Sequence, residues 1–187
     1  MSAKYPTKCT TGPQTRLSYL NVNQPRAYGD QKPKYSASLI IKKSDTLTLS
    51  RIDAAMRAAY EEGLSTLKGK SKVAPTFEEV TEDGPLHDGD LKADHDSNYA
   101  GCFYINAKNE RKPRVIDENK NDILDPSELY SGIYGRVAIG FYAYNKNGNR
   151  GIGCSLEIIM KTADGEPLGS TISIEDAFSD DDDDFLS

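Results

Sequence analysis

Residues 136–144 alternate between two kinds of side chain, and this alternation constrains the fold more than any other feature of the chain. One face is aliphatic and consists of Val137, Ile139, Phe141 and Ala143. The opposite face carries a cation, two phenols and two small residues, namely Arg136, Ala138, Gly140, Tyr142 and Tyr144. A period of two is typical of a half-buried β-strand, and the sequence NKNG at 145–148 is a strong turn signal. We therefore expect this strand to place its aliphatic face in the core and to lead through a turn into a further strand.

The polar face of this strand has the side chains that an unpaired nucleic acid strand requires. Aromatic rings can stack on bases, and a guanidinium can lie near phosphates. Tyrosine is also common in ordinary strands, so the same face is equally compatible with a plain solvent-exposed surface. The strand alone leaves both interpretations open.

The remaining elements are short strands separated by turns and interrupted by one clear helix. Strands are expected at residues 16–22, 34–41, 99–108 and 150–153, whereas residues 154–161 are compatible with a strand or a short helix. Ser44 or Asp45 caps a helix that runs to about Glu62 and is stopped by Gly63. Residues 1–14, 23–33 and 64–98 are expected to be irregular, apart from a short element at TFEEV. This order favours a mainly β protein, an OB-fold-like β-barrel with one main α-helix at about 45–62.

Composition narrows the class of protein. Only 37% of the residues are hydrophobic, and no apolar run approaches the ~18 residues that a membrane span requires. The segment MSAKYPTKC lacks the apolar core of a signal peptide, so an intracellular protein without membrane contact is expected. Three widely spaced cysteines with no CxxC pair predict free thiols: Cys9, Cys102 and Cys154.

Charge is distributed unevenly along the chain. Residues 1–73 hold 13 Lys or Arg against 5 Asp or Glu, whereas residues 74–134 hold 6 against 14. Residues 175–187 hold 7 acidic residues and no basic one. Asymmetry of this kind suggests a polyanionic partner, an acidic segment that competes with it, or both.

Five consecutive aspartates near the C-terminus are followed by an aromatic residue and a leucine. A dense run of like charges repels itself and stays disordered, so we expect a folded domain at 1–174 and a disordered acidic tail at 175–187. The apolar end of the run is typical of a docking peptide. We expect it to bind partner proteins and to compete for the protein's own cationic groove through Asp180, Asp181, Asp182, Asp183, Asp184 and Phe185.

Two acidic stretches imitate metal sites. The first has the spacing of a calcium loop at Asp117, Asn119, Asn121, Asp125 and Glu128. The sixth loop position is Asp122 instead of glycine, and Pro126 interrupts the loop, so calcium binding is disfavoured. The second stretch, residues 87–96, holds two histidines and four aspartates in a loop that fixes none of them on one face. No cofactor, metal ligand set or catalytic residue is predicted, and the case for an enzyme is weak.

Basic and aromatic residues recur together on the outward faces of the expected strands and in the adjoining loops. Cations that follow a backbone and rings that stack on bases are typical of sequence-tolerant single-strand binding. Each residue taken singly is equally compatible with an ordinary surface, so the interpretation depends on the set. The predicted DNA-binding residues are Arg26, Lys34, Tyr104, Lys108, Arg111, Lys112, Arg114, Arg136, Tyr142 and Tyr144.

Several segments of the chain resemble a family of bacteriophage single-stranded DNA-binding proteins whose domain was long catalogued as of unknown function. The matching segments include RLSYLNVNQPR, PKYSASLIIKKSDT, YAGCFYINAKNERKPRVID and ILDPSELYSGIYGRVAIGFYAYNKNGNRGIG, and the match covers most of residues 14–170. The resemblance implies an OB-like fold, single-stranded DNA binding in phage replication, and an acidic tail that contacts partners. In this chain Leu186 and Ser187 follow the tail's phenylalanine, whereas similar tails in other replicative single-strand binders usually end in phenylalanine.

Together these features predict a non-enzymatic, sequence-tolerant single-stranded DNA-binding protein that acts in phage DNA replication or recombination. The expected partners are single-stranded DNA and, through the tail, phage or host replication proteins. The expected location is the cytoplasm of an infected bacterial host cell. The alternatives are a metal-dependent nuclease that uses the two acidic stretches, or a structural or adaptor β-protein of the phage.

Overall fold

The computed structural model describes residues 4–27 and 29–168, which form one sheet and three α-helices. The helices are α1 at Thr46–Glu62, α2 at Leu64–Lys68 and α3 at Phe77–Thr81. The strands are β1 at Lys8–Thr10, β2 at Thr15–Arg26, β3 at Lys34–Lys42, β4 at Leu86–Asp88, β5 at Cys102–Asn109, β6 at Arg114–Ile116, β7 at Tyr134–Lys146 and β8 at Asn149–Ala163. The expected mainly β class with one dominant helix is confirmed.

Five of the strands close into a barrel. Strand β2 pairs with β3, β3 with β5, β5 with β8, β8 with β7, and β7 with β2 again, and only the β5–β8 pair in this ring is parallel. Alternate residues of each strand point inward, so aliphatic side chains from all five strands meet in one core. The fully buried members include Leu17, Leu39, Ile105, Ile139 and Leu156. The OB-fold-like barrel expected from the sequence is the observed architecture.

The hairpin of β7 and β8 confirms the alternation of residues 136–144. Val137, Ile139 and Phe141 are buried, whereas Tyr142 is 45% exposed. Asn147 and Gly148 form the two-residue turn, and both have positive φ, as a type I′ turn requires. Residues 154–161, which the sequence leaves undecided, belong to the long strand β8.

Helix α1 begins and ends where the sequence predicts. The Asp45 side chain accepts a hydrogen bond from the Thr48 backbone N–H and caps the helix. Gly63 ends it and lies so close to Ala143 of β7 that a Cβ atom at this position would collide with that side chain. The helix buries one face against the barrel, chiefly through Ile52, Met56 and Ala59.

Helix α2 and three strand segments lie where the sequence predicts irregular structure. Residues 8–10, within the expected irregular N-terminal segment, pair with β7 as strand β1, and the Thr11 hydroxyl accepts a hydrogen bond from the Val137 N–H. Strand β2 continues to Arg26, with irregular register after Ser18, and β4 forms within the expected loop at 64–98. These strand segments depend on pairing with distant strands, which local sequence patterns do not report.

One outward patch of the barrel is covered. Ser38 and Ile40 lie on the face of β3 opposite the core residues Leu39 and Ile41, but they are buried beneath residues 86–104. Tyr99 in this segment is fully buried, and its hydroxyl lies 3.1 Å from the Ser38 Oγ. The covering segment leaves the other end of the β3–β5 face open.

None of the helices in the described part of the chain is long and apolar enough to cross a membrane. The three cysteines carry free thiols. The predicted tail residues and the domain boundary at 174 lie outside the described residues.

Candidate nucleic-acid interface

A groove of about 390 Å³ crosses the open end of the outer barrel face. Its charged lining residues are Lys34 of β3, Lys108 of β5 and Lys146 at the end of β7, and no aspartate or glutamate of the described residues lines it. Tyr142 and Tyr144 of β7 form one wall. The groove therefore combines positive charge with aromatic surface, and four of its residues belong to the predicted DNA-binding set: Lys34, Lys108, Tyr142 and Tyr144.

The three lysines are close enough to influence one another. Partial burial, and then the positive charges of Lys34 and Lys146, lower the pKa of Lys108 below its usual range. Among residues 4–27 and 29–168, no ion pair engages any of these three ammonium groups. Within the described part of the chain the groove is thus a cationic site without a paired carboxylate, to which an anion would be attracted.

The two tyrosine rings lie flat because glycines stand opposite them. Tyr142 pairs in register with Gly153 of β8, and Tyr144 pairs with Gly151. A Cβ atom at either glycine would collide with the ring of its partner, so only glycine lets the rings rest on the neighbouring strand. Burial raises the pKa of Tyr142 above its ordinary value.

A second aromatic cluster borders the groove on the side of β4 and β5. The His87 imidazole stacks on the Tyr104 ring with 4.9 Å between centroids, and His87 lines both the groove and an adjoining pocket of about 470 Å³. Tyr104 packs edge-on against Tyr99, at 5.0 Å. Burial, followed by the charge of Lys92, lowers the pKa of His87, while Asp83 opposes the shift. His87 therefore joins the predicted residue Tyr104 to the groove.

The structure separates Arg136 from this site. It lines a different cavity of about 910 Å³ at the N-terminal end of α1, and its Nε donates to the Thr11 carbonyl at 3.4 Å. Tyr142 lies six positions further along β7, which corresponds to about 20 Å of extended strand. Arg136 and Tyr142 share a face of the strand but do not share a site.

The other predicted cations do not line the groove. Arg26 is exposed and pairs in register with Lys34, at the end of the β2–β3 hairpin. Arg111 and Lys112 are exposed in the connection after β5. Arg114 donates two hydrogen bonds to the Asp122 carboxylate, at 3.2 and 2.9 Å, and this exposed ion pair offsets part of its charge.

The carboxylates of the two metal-like stretches bind groups of the protein itself. Asp117 accepts hydrogen bonds from the backbone N–H groups of Asn119 and Asn121 and so forms its own turn. Asp88 and Asp90 both pair with the Lys43 ammonium, at 2.9 and 2.7 Å. Hydrogen bonds from this ammonium lower the pKa of both carboxyls.

Comparison with known proteins places this chain in a family. A model of the family described as "Enterobacter phage Enc34, ssDNA-binding protein" matches residues 7–186. The chain belongs to this family. The resemblance drawn from the sequence is thereby confirmed.

Relatives of this Enc34-family chain include a curated phage protein and solved structures. "Putative protein p50" of Acyrthosiphon pisum secondary endosymbiont phage 1 is 29% identical over 168 residues, which are 86% of this chain and 88% of that protein. The single-stranded DNA-binding protein from bacteriophage Enc34, solved in complex with ssDNA, has a TM-score of 0.69 at 23% identity, over 87% of this chain and 88% of that chain. The bacteriophage T7 protein gp2.5, a single-stranded DNA-binding protein, has a TM-score of 0.61 at 17% identity and covers 94% and 98% of the two chains. At these identities the structural matches establish the shared fold.

Among the basic and aromatic residues that line this Enc34-family groove, two were absent from the predicted set. Lys146 continues the alternation of Tyr142 and Tyr144, so the same period could have selected it. His87 was considered only as part of an acidic loop, because nothing in the sequence pairs it with Tyr104. The first omission had a local signal, whereas the second depended on an unpredicted strand.

Proposed function

We propose that this protein is a sequence-tolerant single-stranded DNA-binding protein that acts without catalysis in phage DNA replication or recombination, in the cytoplasm of an infected bacterial cell. The groove is the single observation that carries the proposal, because it joins three lysines and two flat tyrosine rings without a lining carboxylate. Membership of the Enc34 family supports it independently. The Enc34 protein itself has been solved in complex with ssDNA.

Each group of side chains has a distinct task in this proposal. The rings of Tyr142 and Tyr144 provide surfaces on which unpaired bases stack, and stacking tolerates any sequence because every base has a π-face. Lys34, Lys108 and Lys146 hold the phosphates that follow those bases. A duplex keeps its bases stacked on one another and has no free base faces to offer, so the groove favours a single strand.

A fluorescence titration of labelled oligo-dT at several salt concentrations tests the function. We expect affinity to fall with salt, with a log–log slope between about −2, for the three groove lysines, and about −3.5, for five phosphate contacts, at ~0.7 per phosphate. Duplex DNA of equal length should bind more weakly. Equal affinity for duplex and single strand, or affinity that ignores salt, would refute the proposal.

The acidic segment at 175–187 has the charge to compete for the same lysines. We propose that it lowers the affinity for DNA until a replication protein engages it. Deletion of residues 175–187 should tighten oligo-dT binding several-fold at low salt and have little effect at high salt, because screening weakens the competition. Equal or weaker binding by the truncated chain at low salt would contradict this role.

A further inference from the structure

Tyr19 is exposed in a conformation that a bulky residue rarely adopts. Its side chain is 57% exposed, and its φ is +47°, in the left-handed region. It lies where the register of β2 with β3 shifts, between Ser18 and Asn21. Bulges re-aim side chains, and strained backbone is concentrated at functional sites. The chain therefore presents this ring to solvent at the expense of backbone geometry.

Lys92 fixes the ring from one side. Its Nζ lies 4.9 Å from the centroid of Tyr19, 4.4 Å from that of Tyr99 and 5.2 Å from that of Tyr104. An ammonium over an aromatic ring is attracted by the negative face of the ring. Because Tyr99 is fully buried, Lys92 ties the exposed ring of Tyr19 to a fixed part of the fold.

These contacts connect Tyr19 to the groove. His87 lines the groove and stacks on Tyr104, and Tyr104 shares the Lys92 ammonium with Tyr19. The barrel is closed, so β7 also pairs directly with β2, but the path that passes the groove runs from Tyr142 on β7 over β8, β5 and β3 to Tyr19 on β2. Along the curved outer surface this path crosses four strand spacings of ~4.8 Å, a length of about 19 Å.

We propose that Tyr19 is a second base-stacking platform, which takes a nucleobase of the same unpaired strand after that strand leaves the groove past His87. Lys92 is a positioning residue that holds the ring in place. The inference rests on the proposed single-strand binding and extends its footprint. Two stacking platforms, one in the cationic groove and one beyond it, order the segment of DNA between them.

Replacement of Tyr19 by glycine and by phenylalanine tests the platform. Glycine removes the ring and also relieves the positive φ, so the fold should not lose stability. We expect Tyr19→Gly to weaken the binding of an oligo-dT of about sixteen nucleotides by roughly tenfold, with an unchanged salt slope, and Tyr19→Phe to bind within about twofold of the wild type. With an oligomer of about two nucleotides, too short to reach both platforms, the loss should disappear.

The chain contains no tryptophan, so a tryptophan introduced at one position would report DNA binding at that position through its fluorescence. The fluorescence of Tyr19→Trp should be quenched when a long oligo-dT binds, whereas Leu124→Trp, at an exposed position outside the groove, should report no change. Wild-type affinity in Tyr19→Gly, an equal loss on short and long oligomers, or an unquenched tryptophan at position 19 would overturn the inference. Failure of the wild type to bind any single strand would instead refute the proposed function.

Discussion

Replacement of Lys108 by glutamate is expected to lower the affinity for oligo-dT by roughly 100-fold without loss of fold stability. The change places a carboxylate among the phosphates at the point where Lys34 and Lys146 converge. One charge pair at ~4 Å in a medium of effective dielectric ~20 is worth about 4 kcal/mol, and solvent screening at this partly exposed site reduces that to about 2 to 3 kcal/mol. The measurement is the salt-dependent titration, in which the slope should also fall by about one phosphate.

The stability of the variant distinguishes a binding residue from a structural one. In the wild type, burial and two neighbouring cations lower the pKa of Lys108, so its charged form is disfavoured in the folded protein. A glutamate at this position would attract Lys34 and Lys146, and the melting temperature should stay the same or rise. A variant that binds poorly because it has begun to unfold would show the opposite change.

Lys120→Glu provides the matched control. Lys120 lines the cavity at the N-terminal end of α1, away from the groove, and its substitution changes the net charge of the chain by the same amount. Its effect on oligo-dT affinity should stay within about threefold, because charges beyond a Debye length of ~8 Å are largely screened at physiological salt. An equal loss in both variants would mean that only the overall charge matters and that the groove is not the site.

The elements that the sequence predicted are those whose patterns are local. The alternation in β7, the NKNG turn and the cap of α1 at Asp45 are each written within a few residues, and each is observed. Strands β1 and β4 have three residues each and exist because β7 and β5 offer them partners. No window of the sequence contains those partners, so no local pattern could reveal these strands.

The candidate site shows the same division. Tyr142 and Tyr144 were identified from the period of one strand, but the groove needs Lys34 and Lys108 from two others that only closure of the barrel brings together. Arg136 was assigned to the same site because it lies on the same face of β7 as Tyr142 and Tyr144. A strand of 13 residues is nevertheless long enough to line two separate cavities. Periodicity gives the face of a residue and leaves its position along that face undetermined.

Replacement of both Tyr142 and Tyr144 by alanine is expected to cause a large loss of affinity for oligo-dT. Stacking of a base on an aromatic side chain contributes about 1 to 3 kcal/mol, so two rings contribute about 2 to 6 kcal/mol and their loss should weaken binding at least 30-fold. The salt slope should remain that of the wild type, because the lysines are untouched. The measurement is again the titration across salt, and the signature is a uniform shift of affinity without a change of slope.

The control is the double variant in which Tyr142 and Tyr144 are both replaced by phenylalanine. It keeps both aromatic rings and should bind oligo-dT within about threefold of the wild type. A slope that falls in the alanine variant would instead assign the tyrosine hydroxyls to phosphates and contradict base stacking. Wild-type affinity in the double alanine variant would show that the two rings do not contact DNA.

Gly153→Ala tests the orientation of the Tyr142 ring without removing it. The added methyl group occupies the space where the ring of Tyr142 lies, so the ring must swing away from β8 while the strand pairing remains. If the flat ring is the stacking surface, this substitution should weaken oligo-dT binding about tenfold in the wild-type background and have no effect when Tyr142 is already alanine. An equal effect in both backgrounds would show that Gly153 is needed for the strand pairing of β8 and not for the orientation of the Tyr142 ring.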